Sequence, residues 1–398
     1  VLMTKIKFFS DNSDLEEKTV LLRLDLNVPI KNKIIQDDTR IAENLPFIKN
    51  LIKKKAKIII ISHLGRPKGK KVSELSLAPI YKYLKKELTS AVYFFMGDLD
   101  NEIKKKFSYQ KGGEIILLEN IRFFKEETED DEIFSKKLAS LCDIYINDAF
   151  SCCHRKQASI HNITKFVNQS YAGPLINKEI NSIDLITKNK KKPVSCIIGG
   201  SKVSTKINVI TSLIKIVDNL IIVGAMANNF LTFKKYKIGS SLVEKNIDET
   251  IGKIYEIAKN ENCNLIIPED CKVGVDFSGT GENKNFENIK DHEIILDIGP
   301  KTIRKIRYII DNSNTILWNG PAGYFENENF LGGTLSIAEK ISENTKKKSL
   351  ISILGGGDTI SAINKNKNKL TFTHLSTAGG AFLEYLEGKD LPGLIVLK

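Results

Sequence analysis

The sequence predicts an α/β protein made of two doubly wound, parallel-sheet (Rossmann-like) lobes joined by a linker helix. Three observations carry that expectation. Short runs nearly continuous in Ile, Leu and Val, as in strands buried on both faces, alternate with helical patterns along the whole chain. Polar residues and glycines collect at the carboxyl ends of those runs, the edge where open parallel sheets bind ligands. The chain has 398 residues, enough for two domains of ordinary size, each with its own core.

In order, the first-half strands read TVLLRLDLNV, AKIIIISHLG, SAVYFFMG, EIILLENIRF and CDIYINDAF. The segment YAGPLINKEINSIDLITKNKKKP (171–193) then places Leu175, Ile176, Ile180, Ile183 and Ile186 at helical spacing and stops before Pro193. It is the expected linker, dividing a first domain, 1–174, from a second that begins at 193, with the helix over 175–192. The second-half strands read VSCIIGG, NLIIVGAM, NLIIPEDCKV, EIILDIG, TILWNGPAG, LISILGGGDT and LTFTHLSTAGG. The first edge carries arginines and histidines, whereas the second carries glycines, two lysines and acids, so each lobe is expected to hold a different ligand.

Composition narrows the function. No apolar run approaches the roughly 20 residues of a membrane-spanning helix, and the start, VLMTKIKFFSDNSD, lacks the apolar core and cleavage site of a signal peptide. A cytoplasmic protein with no membrane partner is expected, with Met3 as the start of translation or Val1 as a literally translated alternative start codon. The six cysteines form no C-x-x-C pair and stand at no zinc spacing, so reduced, buried thiols are expected. A net charge of +12 could serve nucleic acid, but the lysines are spread evenly along the chain, and no specific nucleic-acid partner is expected. Seven arginines stand against fifty-three lysines. In such a chain each arginine marks a position where a planar, bidentate guanidinium is needed.

Five of the seven, Arg23, Arg40, Arg66, Arg122 and Arg155, fall in the first 160 residues beside strand ends or turns, while Arg304 and Arg307 fit an ordinary helix face. Arg23, Asp25 and Asn27 alternate in LLRLDLNVP, which as one strand would point all three to one face. HLGRP then sets His63 and Arg66 around Gly65, and with Arg40, Arg122 and Arg155 these guanidiniums could clamp a phosphate or carboxylate. In the second half, GGSKVSTK matches neither the Walker loop nor the G-x-G-x-x-G fingerprint, yet glycines before a helix start suit an anion. A helix beginning near Ser201 would put Lys202 and Lys206 on one side, a turn apart. Gly355, Gly356 and Gly357 lead into DTISAIN, where Asp358 or Thr359 can cap a helix facing phosphate. A nicotinamide-dependent oxidoreductase on two such lobes is disfavoured, because the first strand exits through DLNVP with no glycine fingerprint.

RLDLNVP, DDTRI, SHLGRP, ENIRFF, NDAFSCCHRKQAS, GGSKVSTK, DIGP, WNGPAGYFE, GGGDT and HLSTAGGAFLE occur in one order and spacing, and together they resemble the phosphoglycerate kinases over nearly the whole chain. The resemblance implies a monomer with a hinge cleft that exchanges a phosphoryl group between 1,3-bisphosphoglycerate and ADP, giving 3-phosphoglycerate and ATP with Mg²⁺. The second domain would then close at 378, with a C-terminal segment, 379–398, returning to the first. Asp25, Leu26, Asn27, Arg40, His63, Leu64, Gly65, Arg66, Arg122 and Arg155 become the glycerate site, and Arg23 faces the transferring group. Lys206, Gly224, Asn319, Glu326, Gly355, Gly356, Gly357, Asp358 and Thr359 become the nucleotide site, with Asp358 on the metal. Lys202 partners the moving phosphoryl, and Arg23, Lys206, Gly356 and Gly380 complete the catalytic set. Three positions depart from the family's usual residues: Ala378 for glycine, Tyr324 for valine and Asn229 for threonine. Ala378 is costly only if its backbone needs a positive φ.

Overall fold

The computed structural model describes residues 5–99, 105 and 107–398; the alternative starts Val1 and Met3 lie outside them. The chain divides into two units, Val1–Ile180 with Asp390–Lys398, and Asn181–Lys389. The division falls inside the helix Pro174–Thr187, whose Ile176, Ile180, Ile183 and Ile186 are buried.

The first unit is built on a parallel six-stranded sheet. Its order across the sheet is Val92–Phe95, Ile115–Leu118, Lys57–Ile61, Thr19–Arg23, Ile144–Asn147 and Gln169–Ala172. The inner strands are buried along their length, as their unbroken apolar sequence requires. Helices such as Thr39–Lys53 close one core with Ile41, Ile48 and Leu51 against Val20, Leu22, Ile58 and Ile60. The edge strand QSYA carries no apolar run, so nothing in its sequence announced it. The first strand ends at Arg23, where its partners end at Ile61 and Asn147. Asp25 and Asn27 therefore stand in the loop beyond the sheet, not on one strand face with Arg23.

The second unit has its own parallel six-stranded sheet, in the order Asn264–Ile266, Asn219–Ile222, Val194–Ile198, Thr315–Asn319, Ile351–Gly355 and His374–Ser376. EIILDIG is not one of its strands. Ile294–Ile298 pairs antiparallel with Cys271–Gly274, which pairs with Glu282–Lys284. Short loops separate these three strands, whereas parallel neighbours need a long crossover. The helix Gly380–Leu386 packs against the helix Ile207–Ile214 of this same unit, and Phe382 is fully buried. Only Asp390–Lys398 joins the first unit, where the Lys7 N–H donates to Leu397 O at 2.8 Å and the Gly393 N–H to Cys153 O at 2.9 Å. The returning segment is thus shorter than 379–398, because Phe382 anchors its first half elsewhere.

Candidate functional site

In each unit, chemistry collects at the carboxyl edge of the parallel sheet. In the first unit Asn27 Oδ1 accepts from the Gly65 N–H at 2.9 Å and tethers two strand exits together. Arg40 donates to Asp25 Oδ2 and to Asn27 O, each at 3.0 Å, and the Ser151 hydroxyl donates to the same carboxylate at 2.5 Å. Burial works to raise the Asp25 carboxyl, but Arg40 and the hydrogen bonds from Ser151 and the Asn27 N–H outweigh it, and the group is held below its ordinary value. Arg122 donates to Gly65 O at 2.9 Å. Burial, and then the repulsion of Arg23 and Arg155, pulls it down to about 10, which leaves it charged at neutral pH. Its buried Nε has no hydrogen-bond partner. Arg66 is exposed and Arg155 half-buried, with its Nε 3.0 Å from His154 Nε2. Asp25, Asn27, Arg40, Gly65 and Arg122 therefore form one hydrogen-bonded group, with Arg66 next to it in the chain and Arg155 within electrostatic reach of Arg122. Cations outnumber carboxylates there, and a buried donor is left over, which suits an anion.

Three expected members of this site are buried. Arg23 has no exposed surface. Its Nε donates to Ser159 Oγ at 3.0 Å and its Nη1 to Leu24 O at 2.5 Å, while its Nη2 lies 3.3 Å from His63 Nδ1. The strand that carries it is paired on both sides, and its guanidinium is held among Ser159, Leu24 O and His63. Glu127, fully buried, accepts from the Ser159 N–H and hydroxyl at 2.9 and 2.7 Å and lies within the electrostatic reach of Arg23. Leu26 and Leu64 lie in the core beneath the site; the Leu26 N–H goes to Ser62 Oγ at 2.9 Å and Leu64 O accepts from Asn120 at 2.7 Å.

His63 is 4% exposed, and burial lowers it well below its ordinary value, with Arg23, Arg122 and Arg40 acting in the same direction. The imidazole is neutral at pH 7. A guanidinium only donates, so Nδ1 accepts from Arg23 and the ring proton sits on Nε2. Arg23 thus fixes the tautomer of a site histidine from below.

In the second unit the strand ends bring Ile198, Asn319 and Gly355 into one register, so Gly199, Gly200, Asn319 and Gly355–Gly357 share an edge. A cavity of about 550 Å³ opens beside it, lined by Gly200, Gly224, Leu231, Tyr324, Glu326 and Asp358 among others. The glycines are required there. A Cβ on Gly199 would come within 2.3 Å of Pro321 O, and one on Gly224, which has φ +69°, would lie 3.0 Å from Gly200 N and 3.1 Å from Pro321 O. Gly356, φ +99°, precedes the helix Gly357–Ile363. Tyr324 packs edge-on against Phe277 at 5.0 Å, adding an aromatic wall where the family commonly has valine.

The lysine pair does not lie on one helix. The helix begins at Ile207, and 201–206 form a turn in which the Lys206 N–H donates to Val203 O at 2.8 Å. The Ser201–Lys206 backbone turns because Glu244 takes the N–H groups of Val203 and Ser204, at 2.6 and 3.1 Å, that a helix start there would leave pointing at the ligand. Lys206 folds back to Gly199 O at 2.6 Å and Asn319 Oδ1 at 2.9 Å, and burial lowers it from its ordinary value. Lys202 is exposed. Asp358 is exposed on the first turn of its helix. Thr359 is fully buried, and its hydroxyl accepts from the Gly320 N–H at 2.7 Å. Glu326 and Gly380 are exposed. Ala378 has a negative φ, the left-handed conformation falling instead on Gly379 at +59°, so alanine is accommodated without backbone strain.

Glu127, Ser159, Ser151 and Glu244 escaped the sequence reading. Glu127 sits in KEETEDDE, which reads as a solvated acidic run, and no periodicity marks the one acid that is buried.

The phosphoglycerate kinase family profile matches residues 10–389. A phosphoglycerate kinase of Wolbachia pipientis wMel is 46% identical over 391 residues, covering 98% of both chains. One of Buchnera aphidicola subsp. Schizaphis graminum is 47% identical over 384 residues, covering 96% of this chain and 95% of the other. Among solved structures, phosphoglycerate kinase from Coxiella burnetii superposes with a TM-score of 0.88 at 39% identity, and that from Pyrococcus horikoshii OT3 with 0.81 at 29%, each covering 98% of both chains.

Proposed function

The chain belongs to the phosphoglycerate kinase family, and from that premise we propose how its own residues divide the reaction. It is a kinase of glycolysis that moves the acyl phosphate of 1,3-bisphosphoglycerate reversibly to ADP, giving 3-phosphoglycerate and ATP. The first unit takes the glycerate. Arg66, Arg122 and Arg155 grip the non-transferred phosphate, and the observation that carries this is the buried, unpartnered Nε of Arg122 among surplus cations. Asp25, Asn27 and the His63 Nε2–H orient the glycerate, Arg40, ion-paired to Asp25 and 29% exposed, lies with them, and Arg23 is assigned to the transferring group.

The second unit takes the nucleotide in the cavity beside Gly224, with Tyr324 on its wall and Glu326 toward the ribose. Gly355–Gly357 let the phosphates approach the backbone, Lys206 with Asn319 meets them, and Lys202, free of the interior, follows the phosphoryl as it moves. Gly380, at the start of its helix, is assigned to the same group. Mg²⁺ fits the donors present: Asp358 offers an exposed carboxylate at the cavity, and Mg²⁺ characteristically takes one or two carboxylates plus substrate phosphates. Bound there with the nucleotide, it supplies charge neutralisation on the phosphate oxygens.

No general base is needed. The attacking group in the ATP-consuming direction is a carboxylate, already ionised, so alignment and charge neutralisation are what the protein contributes. Glycerate and nucleotide are held on separate units, so in-line transfer requires hinge closure. We place the enzyme in the cytoplasm as a monomer; among the described residues no helix is long and apolar enough to cross a membrane.

Steady-state kinetics of two variants test the division. Lys202→Ala is expected to lower kcat about a hundredfold with KM for 3-phosphoglycerate little changed. Arg66→Ala is expected to raise that KM about tenfold or more. The opposite pattern would mean the two roles are exchanged.

A further inference from the structure

We propose that Glu244 is a positioning residue of the transfer reaction: its carboxylate fixes the backbone turn that presents Lys202 to the nucleotide phosphates. The proposal rests on the reading of Lys202 as partner of the moving phosphoryl. The turn 201–206 has no helix to shape it, since the helix starts at Ile207. One carboxylate supplies the missing acceptors. Glu244 Oε2 accepts from the N–H groups of Val203, at 2.6 Å, and Ser204, at 3.1 Å, and Oε1 accepts from the Ser204 hydroxyl. Inside the turn, the Thr205 hydroxyl donates to Lys202 O at 3.0 Å.

Glu244 is itself held. Its N–H donates to Asn229 Oδ1 at 2.8 Å, and Asn228 Nδ2 donates to Leu242 O at 3.1 Å. Both asparagines are 1% exposed, at the start of the buried helix Ala227–Phe233. The same helix start grips the other side of the turn, where the Met226 N–H donates to Gly200 O at 2.8 Å. An interior helix therefore reaches Lys202 by two routes, through Gly200 and through Asn229 and Glu244. Asn229 is one of the positions where this chain departs from its family, and its side-chain oxygen is what holds Glu244 in register.

Burial pulls the Glu244 carboxyl up, but the Ser204 and Val203 hydrogen bonds and nearby Lys202 keep it below its ordinary value. It is ionised at neutral pH.

A staple that merely stabilised the fold would change melting temperature and leave the kinetic constants of the folded enzyme alone. The test is therefore kinetic, on the full chain with 3-phosphoglycerate and ATP plus Mg²⁺. Glu244→Ala is expected to lower kcat about tenfold, leave KM for 3-phosphoglycerate unchanged and speed tryptic cleavage after Lys202. Glu244→Gln keeps one acceptor oxygen for the Val203 and Ser204 N–H groups without the charge, its amide N–H donating to the Ser204 hydroxyl instead, and is expected to stay within about twofold of the parent in both readouts. Asn229→Ala, which frees the backbone of Glu244 and also removes the Asn229 Nδ2 bond to Met226 O at 3.2 Å, is expected to lose kcat in the same direction by less, and serves if Glu244→Ala does not fold. In the Glu244→Ala, Lys202→Ala double variant kcat is expected to equal that of Lys202→Ala alone. Parental kcat in both Glu244→Ala and Asn229→Ala, or full additivity with Lys202→Ala, would overturn the proposal. Glu244→Gln as impaired as Glu244→Ala would overturn it in favour of a charge effect. Parental kcat in Lys202→Ala would instead overturn the underlying role of Lys202, and this proposal with it.

Discussion

Burial decides what each charged side chain of the first unit does. Arg23 and Arg122 are both sequestered, but Arg23 spends its donors on Ser159, Leu24 and His63, while Arg122 keeps one donor unmatched. Their sequence settings, LLRLDL and ENIRFF, look equally like strand exits, and only the point at which the sheet stops separates them. Asp148 shows the same principle in an acid outside the site. It is 2% exposed, accepts from the Ile176 N–H at 3.0 Å, and leaves Oδ2 without a partner. Burial raises it from 3.8 to about 7, so the folded chain keeps a proton that the unfolded chain releases. Between those two values the native state binds more protons, and this group's contribution to stability must fall as pH rises, by up to about 1.4 kcal/mol per pH unit. Urea unfolding at several pH values checks it. Asp148→Asn is expected to flatten the decline between about pH 4 and 7, and an unchanged profile would show that Asp148 does not carry it.

At the scale of elements, the strands nearly continuous in Ile, Leu and Val were legible because burial on both faces leaves that composition. Edge and antiparallel strands were not. QSYA gains its place by pairing with Ile144–Asn147 and through the bridge of Ala172 to Phe8, and Ile294–Ile298 reads like a parallel core strand until its short loops are considered. The residue types of the candidate site were equally legible, as scarce arginines and clustered glycines. Their supports were not, since Glu127, Ser159 and Glu244 act across 32 and 40 or more residues of sequence. The start of the Ile207–Ile214 helix was misjudged for the same reason: Glu244 makes a turn of residues whose spacing suggests a helix. Gly199 is the element-scale test. A Cβ there would meet Pro321 O and Gly320 O, both backbone, so two strand exits would have to part. Gly199→Ala is expected to destabilise by about 1–3 kcal/mol in urea unfolding and to raise KM for ATP. Parental values for both would mean that this close approach does not shape the nucleotide edge.

For the whole molecule, the two units divide the chemistry by charge and by surface. The first carries a cluster of guanidiniums; the second carries a largely apolar cavity lined in part by Gly200, Gly224 and Gly323. Neither edge holds everything that transfer needs, so the proposed closure is a requirement of the chemistry. Small-angle scattering is expected to give a smaller radius of gyration with 3-phosphoglycerate and a non-hydrolysable ATP analogue together than with either alone. An unchanged radius would remove hinge closure from the mechanism. The catalytic assignment meets its most direct test in a coupled assay of the purified chain with 3-phosphoglycerate, ATP and Mg²⁺. Acyl-phosphate formation that requires both substrates is the predicted result; folded protein that forms none would contradict the account.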